Sequence, residues 1–276
     1  MSDSFFSPVT RRDFLSTSAK LGAFIAAAPY VARGADGTGP DQVNVAVIGC
    51  GEQGRILINA ALKIPGVRFK AVCDIWPVNR NYAENILKKF GHDPKPFEDY
   101  RELLATVKDI DAVIIATPDF KHAEHTVAAH KAGKHVYCEK PLTYNIHEAV
   151  ELVKESRKAK RVFQTGSQQR SSKEFRVACE LVRNGVLGRV NSVHVSFGDP
   201  ATPYSQPAAE MEPGLDWDRW CGPGPLVAYS PFLCPRGLHT NFPDWRKTWE
   251  FGGGMITDWG AHHIDIAHWG LGMDGS

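Results

Sequence analysis

Two side chains with complementary proton chemistry stand four residues apart near the end of the sequence: Asp258 and His262, within Gly252-Gly253-Gly254-Met255-Ile256-Thr257-Asp258-Trp259-Gly260-Ala261-His262-His263. On a helix that spacing places them on one face. A carboxylate beside an imidazole fixes the ring tautomer and supports general-base work. The glycine run ahead of them is expected to let a ligand approach the backbone. A third proton-handling group is Lys140, in Glu139-Lys140-Pro141, directly after the strand-like residues 135–138. A lysine at the carboxyl end of a strand can exchange a proton with a substrate hydroxyl and donate a hydrogen bond to it. His263, Asp265 and His268 crowd the same segment as His262. His262 and His263 point in different directions on a helix, so no metal is assigned.

A second constellation reads as a dinucleotide site. Gly49-Cys50-Gly51-Glu52-Gln53-Gly54 follows the apolar run 43–48 and opens a helix-like stretch. Gly49, Gly51 and Gly54 permit a tight turn and close approach of a pyrophosphate to the helix start, where Glu52 and Gln53 stand. Asp74 lies twenty residues beyond Gly54, at the end of the next apolar run. A carboxylate there accepts both ribose hydroxyls and repels a 2′-phosphate, which favours NAD over NADP. Arg55 and Arg80 are the residues that could serve NADP. Thr117-Pro118 ends a very apolar run where the strand order should reverse, placing it beside the nicotinamide, with His122 one turn further on at a helix start. Glu139 joins this cofactor side. Gly166-Ser167-Gln168-Gln169-Arg170 offers donors and acceptors that suit a polyol, so Gln168, Arg170 and His263 are the candidate substrate residues, and loop tryptophans could stack on sugar faces.

The elements that must position these groups follow from periodicity. Short apolar runs at 43–48, 67–73, 112–116, 135–138 and 162–165 alternate with helical patterns at 53–63, 77–90, 100–106, 123–132 and 146–158. That alternation is the signature of an α/β, doubly wound parallel sheet of the Rossmann type, over residues 41–166. After Gly166 a helix over 172–184 and a strand over 190–197 are expected. A long Pro-, Gly- and Trp-rich loop at 199–250 follows, all within a second domain at 167–276. Formal net charge is +1, and no basic stripe stands out, so nucleic acid is not expected as a partner. The six cysteines include no Cys-x-x-Cys pair, which argues against a zinc ribbon or redox motif. Cys221 and Cys234 share the long loop, where a disulfide is one option in an oxidising compartment.

The N-terminus reads as an address. Thr10-Arg11-Arg12-Asp13-Phe14-Leu15 resembles the twin-arginine signature, a short apolar run follows at 21–28, and Ala32-Arg33-Gly34 is a plausible cleavage site. Residues 1–34 are therefore set apart from the fold, and export to the periplasm by the twin-arginine machinery is expected. That route carries folded proteins, which suits one that acquires a nucleotide before export.

Taken together, Val47-Ile48-Gly49-Cys50-Gly51, Ala116-Thr117-Pro118, Ala132-Gly133-Lys134-His135-Val136, Glu139-Lys140-Pro141 and Gly252 to Asp265 resemble the Gfo/Idh/MocA oxidoreductases. The resemblance covers roughly residues 41–276. It is closest to an exported subgroup that also shows Gly166-Ser167-Gln168-Gln169-Arg170 and Leu215-Asp216-Trp217-Asp218-Arg219-Trp220. It implies a catalytic set of Lys140, Asp258 and His262, a nicotinamide cofactor, and a sugar or cyclitol as substrate. It also implies a second, α+β domain built on a large open, mostly antiparallel sheet. Family members run further than Ser276, so that domain is expected to be incomplete here, and a homo-oligomer is expected of the full-length form. A second implied activity is that of the exported glycoside-processing branch, in which bound NAD oxidises a ring hydroxyl transiently and elimination cleaves the glycosidic bond. The galactosaminidase members carry a different motif in place of Asp258-x-x-x-His262.

Overall fold

A computed structural model describes residues 42–274. The twin-arginine segment at 1–34 lies outside the described residues. The first element is β1 (Val43–Ile48), whose neighbours are β2 (Val67–Cys73) on one side and β4 (Ala112–Ile115) on the other. With β3 (Lys95–Phe97), β5 (His135–Glu139) and β6 (Phe163–Gly166) they form a six-stranded sheet in the order β3-β2-β1-β4-β5-β6. Every pairing is parallel. Parallel strands need long crossovers, and helices supply them: α1 (Glu52–Ala61), α2 (Pro77–Lys89), α3 (Tyr100–Thr106), α4 (His122–Lys131) and α5 (Ile146–Ala159).

The central strands β1 and β4 read as near-continuous apolar runs because both faces of the sheet are covered. Within β1, Val45 and Val47 pack with Ile58, Phe69, Val72 and Leu87 on one face. Ala46 and Ile48 pack with Leu103, Val113, Ile115 and Ala129 on the other. The period-2 alternation of a strand is thus spent on two cores, not on one core and water.

Beyond β6 the chain forms α6 (Lys173–Arg183), the short α7 (Trp217–Cys221) and α8 (Met255–Leu271). A third cluster joins the sheet to the long loop: Trp76 and Phe120 pack with Leu215, Trp217, Trp220, Tyr229, Leu233, Trp245 and Phe251. Trp217 and Trp220 stack at 4.5 Å between ring centres. The loop tryptophans of this cluster pack as core, and Trp220 and Trp245 also line the cavity described below. From Val43 onward the chain is one compact unit.

One expectation is corrected. Residues 190–197 alternate like a strand but form none. A strand exists only against a partner ladder, and among the described residues no second sheet is present beyond one isolated bridge, Thr202 to Thr248. The α+β sheet implied for the second domain is accordingly not found among the described residues. All six cysteines are free thiols, Cys221 and Cys234 included.

Candidate active site

The sheet register assembles the site. Ile48 lies opposite Cys73 on β2 and Ile115 on β4, Ile115 lies opposite Cys138 on β5, and Glu139 lies opposite Gly166 on β6. The strands therefore end together, and the residues that follow each one (Gly49, Asp74, Thr117, Lys140, Gln168) emerge along a single edge. The order of connection reverses between β1 and β4, and ligands of open α/β sheets bind at such a switch point. A cavity of about 610 Å³ opens there, lined by Gly49, Gly51, Asp74, Thr117, Lys140 and His262 among others.

The three glycines of the fingerprint do different work. Gly49 sits at φ +90°, and a Cβ on it would lie 2.6 Å from the Thr117 nitrogen. A Cβ on Gly54 would lie 2.1 Å from the Gly49 oxygen, so Gly54 lets α1 pack onto the β1 turn. Gly51 is different: the nearest atom to its Cβ position is Asn79 Nδ2 at 3.9 Å. Gly51 also lines the cavity, and such open backbone at a helix start is the cradle a pyrophosphate requires. Asp74 accepts hydrogen bonds from the Cys50 and Trp76 backbone nitrogens at 2.8 and 2.9 Å. Burial raises its pKa against those two bonds. Gln53 donates to Glu139 at 2.9 Å and to Gln168 at 3.2 Å, tying the helix start to β5 and the β6 end. Burial also raises the Glu139 pKa. Among these residues, then, an open glycine cradle and a carboxylate held at the β2 end fit a dinucleotide.

His122 is fully buried, not a surface residue. Its Nδ1 lies 2.7 Å from the Pro141 oxygen and its Nε2 2.8 Å from the Thr117 oxygen, between the ends of β4 and β5; a neutral ring donates to one of the two. Burial takes its pKa down to about 4. Neighbouring His125 contacts the Thr117 hydroxyl at 3.1 Å and is pushed down to about 3 by burial.

At the other end of the cavity, α8 presents Asp258 and His262 on its buried face, as their spacing requires. Lys140 pairs with Asp258 through Nζ and Oδ1, and Nζ also donates to the Asp258 backbone oxygen at 3.1 Å. The carboxylate expected to orient His262 is thus engaged by Lys140. Burial, then the Lys140 charge, lowers the His262 pKa to about 4, which leaves the imidazole neutral near pH 7.

Arg170 and His263 are not brought into the cavity. Arg170 forms a two-pronged pair with Asp265, 2.7 and 2.8 Å, and reaches Asp274 at 2.7 Å, which fastens the turn after β6 to α8. His263 turns away from His262 and contacts the Ser196 oxygen at 2.9 Å. Gln168 does line the cavity.

Two charged residues not singled out above stand in the site. Arg246, on the turn Asp244–Lys247, places Nε 3.7 Å from Asp258 Oδ2. Asp119, two residues after Thr117, is 4% exposed, and its Oδ1 has no hydrogen-bond partner. Burial pushes its pKa up to about 7, against the pull of Arg246 and Lys140. Asp119 could have been suspected from its place beside Thr117-Pro118. Arg246 carries no such signal. The glycine run also proves to serve Arg246 and its surroundings, not a ligand. A Cβ on Gly252 would sit 2.6 Å from the Arg246 oxygen, and one on Gly254 would sit 2.3 Å from the Ala201 nitrogen. The Gly254 N–H donates to the Arg246 oxygen at 2.9 Å.

Comparison with known proteins agrees with this geometry. The model of the Gfo/Idh/MocA oxidoreductase family, NAD-binding Rossmann fold, matches residues 43–167. A myo-inositol 2-dehydrogenase of Thermotoga maritima is 30% identical over 161 residues, covering 58% of this chain and 47% of that protein. A glycosyl hydrolase family 109 protein of Saccharopolyspora erythraea is 33% identical over 205 residues, covering 66% of this chain and 44% of its own length. The crystal structure of a myo-inositol 2-dehydrogenase from Lactobacillus plantarum superposes with a TM-score of 0.50 at 30% identity, covering 54% of this chain and 43% of that one. The chain spans about half the length of the curated relatives it matches. Residues 43–167, which carry the sheet and the glycine fingerprint, match the NAD-binding Rossmann domain of the Gfo/Idh/MocA oxidoreductases.

Proposed function

We propose that this chain carries the cofactor-binding and proton-handling parts of an NAD-dependent oxidoreductase acting on a hydroxyl-bearing carbon of a cyclitol or sugar. One observation carries the reading: Lys140, Asp258 and His262 line the same cavity as Gly49, Gly51 and Asp74. The inositol dehydrogenases among its relatives support the cyclitol class.

The Gly51 cradle and the start of α1 would hold the pyrophosphate, and Asp74 the adenosine ribose. Bound NAD supplies the two-electron acceptor. Everything else falls to the protein. A neutral His262 accepts the proton of the substrate hydroxyl, and Lys140 donates a hydrogen bond to the oxygen as negative charge grows on it. Asp258 pairs with Lys140 and holds it at the cavity wall. The walls contributed by Trp76, Leu215, Trp220 and Leu233 exclude water, which strengthens each of these interactions.

The test is a titration with NAD and NADP, followed by incubation with a panel of cyclitols and sugars. Both the absorbance of reduced nicotinamide and the product mass are followed. NAD binding with net reduction on a cyclitol supports the reading. Cleavage of a glycoside without net reduction assigns the chain to the glycoside-processing chemistry instead. We also infer export through the twin-arginine route and assembly as a homo-oligomer. The Arg11-Arg12 pair ahead of an apolar run supports export.

A further inference from the structure

Lys140 has two tasks that conflict. It neutralises Asp258 through Nζ, and in the proposed reaction it must turn to the substrate oxygen. The Asp258 side chain is 11% exposed, and a carboxylate left alone at such a site is costly. A second cation is already in place. Arg246 approaches the opposite carboxylate oxygen, Nε to Oδ2 at 3.7 Å, close enough to attract and too long for a hydrogen bond. Its guanidinium lies over the Trp245 ring at 4.5 Å and the Phe242 ring at 5.3 Å, which fixes its plane without using its donors. Nη1 donates to the Pro243 oxygen at 3.1 Å. A guanidinium has five N–H donors, so most remain for a partner. The backbone beneath it is held by the Gly254 N–H and the bare Gly252 surface. Asp119 is buried nearby with Oδ1 unpaired.

We propose that Arg246 is a positioning residue: it takes over the Asp258 carboxylate when Lys140 swings to the substrate, so that Lys140 can leave its ion pair without stranding a buried charge. The proposal rests on the reading of Lys140 as the group that meets the substrate oxygen. Arg246 touches Asp258, not the reacting atoms.

The measurement is the acetylation rate of Lys140 by acetic anhydride, read by peptide mass spectrometry on the full chain at fixed pH. It needs no substrate. In Arg246→Gln, Lys140 is locked to Asp258, and its labelling slows about tenfold, mid-range for coupling between neighbouring side chains. Arg246→Lys restores the rate to within about twofold, because a cation is back. Asp258→Asn, which leaves Arg246 untouched, speeds labelling at least about threefold. It serves even if Arg246→Gln does not fold. Equal rates in wild type and Arg246→Gln, equal slowing by Gln and Lys, or no rise in Asp258→Asn each overturn the proposal. With a substrate in hand, Arg246→Gln lowers kcat about tenfold while KM and the NAD Kd stay within about threefold. A loss confined to KM would put Arg246 on the substrate and overturn it as well. If wild type turns over nothing in the panel, the functional reading fails, yet the labelling result still decides the role of Arg246.

Discussion

Replacing each glycine of the fingerprint by alanine separates fold from cofactor site. At Gly54 the new methyl would meet the Gly49 oxygen at 2.1 Å, a backbone atom on the adjoining turn. Neither partner can rotate away, so α1 must lift from β1. Overpacking of a tight core costs about 1–3 kcal/mol, and a backbone clash of this depth belongs at the top of that span. At Gly49 the methyl meets the Thr117 nitrogen at 2.6 Å, and φ of +90° adds strain of about 1–2 kcal/mol for any residue with a Cβ. Both variants should therefore lose about 3 kcal/mol, or roughly 6–12 °C in Tm for a unit of this size. Gly51 has φ −66° and nothing nearer than 3.9 Å, so Gly51→Ala should stay within about 1 kcal/mol of wild type. A methyl there would instead take up room on the cavity wall assigned to the pyrophosphate. An overlap there of about 1–3 kcal/mol weakens NAD roughly 5–150-fold. Thermal melts without cofactor give the first quantity, and quenching of tryptophan fluorescence by NAD gives the second. If Gly51→Ala binds NAD normally, or if it melts as low as Gly54→Ala, the division of labour argued from these contacts is refuted.

Asp74→Ala should weaken NAD far more than NADP, checked by parallel titrations; a uniform loss would mean that Asp74 only supports the turn through Cys50 and Trp76. Lys140→Ala and His262→Ala should each lower turnover about 10²–10⁴-fold while leaving the NAD Kd within a few-fold, since neither side chain is assigned to the pyrophosphate or ribose. The His125 contribution to stability should fall with acidification. His125 has a folded pKa of about 3 against an ordinary 6.5, so the unfolded chain binds the extra proton below 6.5. Its contribution is complete above that pH and is lost progressively on the way down to about 3, by about 2 kcal/mol at pH 5. Denaturant melts of wild type and His125→Asn at pH 7 and pH 5 measure this, and the same pH dependence in both would contradict the burial assigned to the ring. Changing Arg11 and Arg12 to Lys should keep the protein in the cytoplasm, as cell fractionation would reveal.

The parts of the site that rest on local chemistry were legible in the residues. Gly49-x-Gly51-x-x-Gly54 with Asp74 is a turn, a helix start and a strand end, each encoded within a few positions. Asp258 and His262 lie on one helix whose period fixes their facing, and Lys140 directly follows a strand. The readings that failed depend on contacts between distant segments. Residues 190–197 carry a strand's alternation, but alternation cannot supply a neighbouring ladder. His263 has the same residue type as His262 and an adjacent number, yet one step of about 100° around α8 sends it to the Ser196 oxygen. Arg170 offers a polyol-binding fork, and Asp265 takes it first. Gly252 and Gly254 announce close approach without saying of what. The approaching group is protein backbone, at the Arg246 turn and at Ala201, and the Arg246 turn sets a second cation beside Asp258. The glycines therefore bear on the chemistry after all, through the charge they allow next to the Lys140–Asp258 pair and not through a ligand resting on them. A bulkier residue at Gly252 should accordingly behave like a weakened Arg246, slowing Lys140 acetylation while leaving the dinucleotide cradle on the other side of the cavity intact.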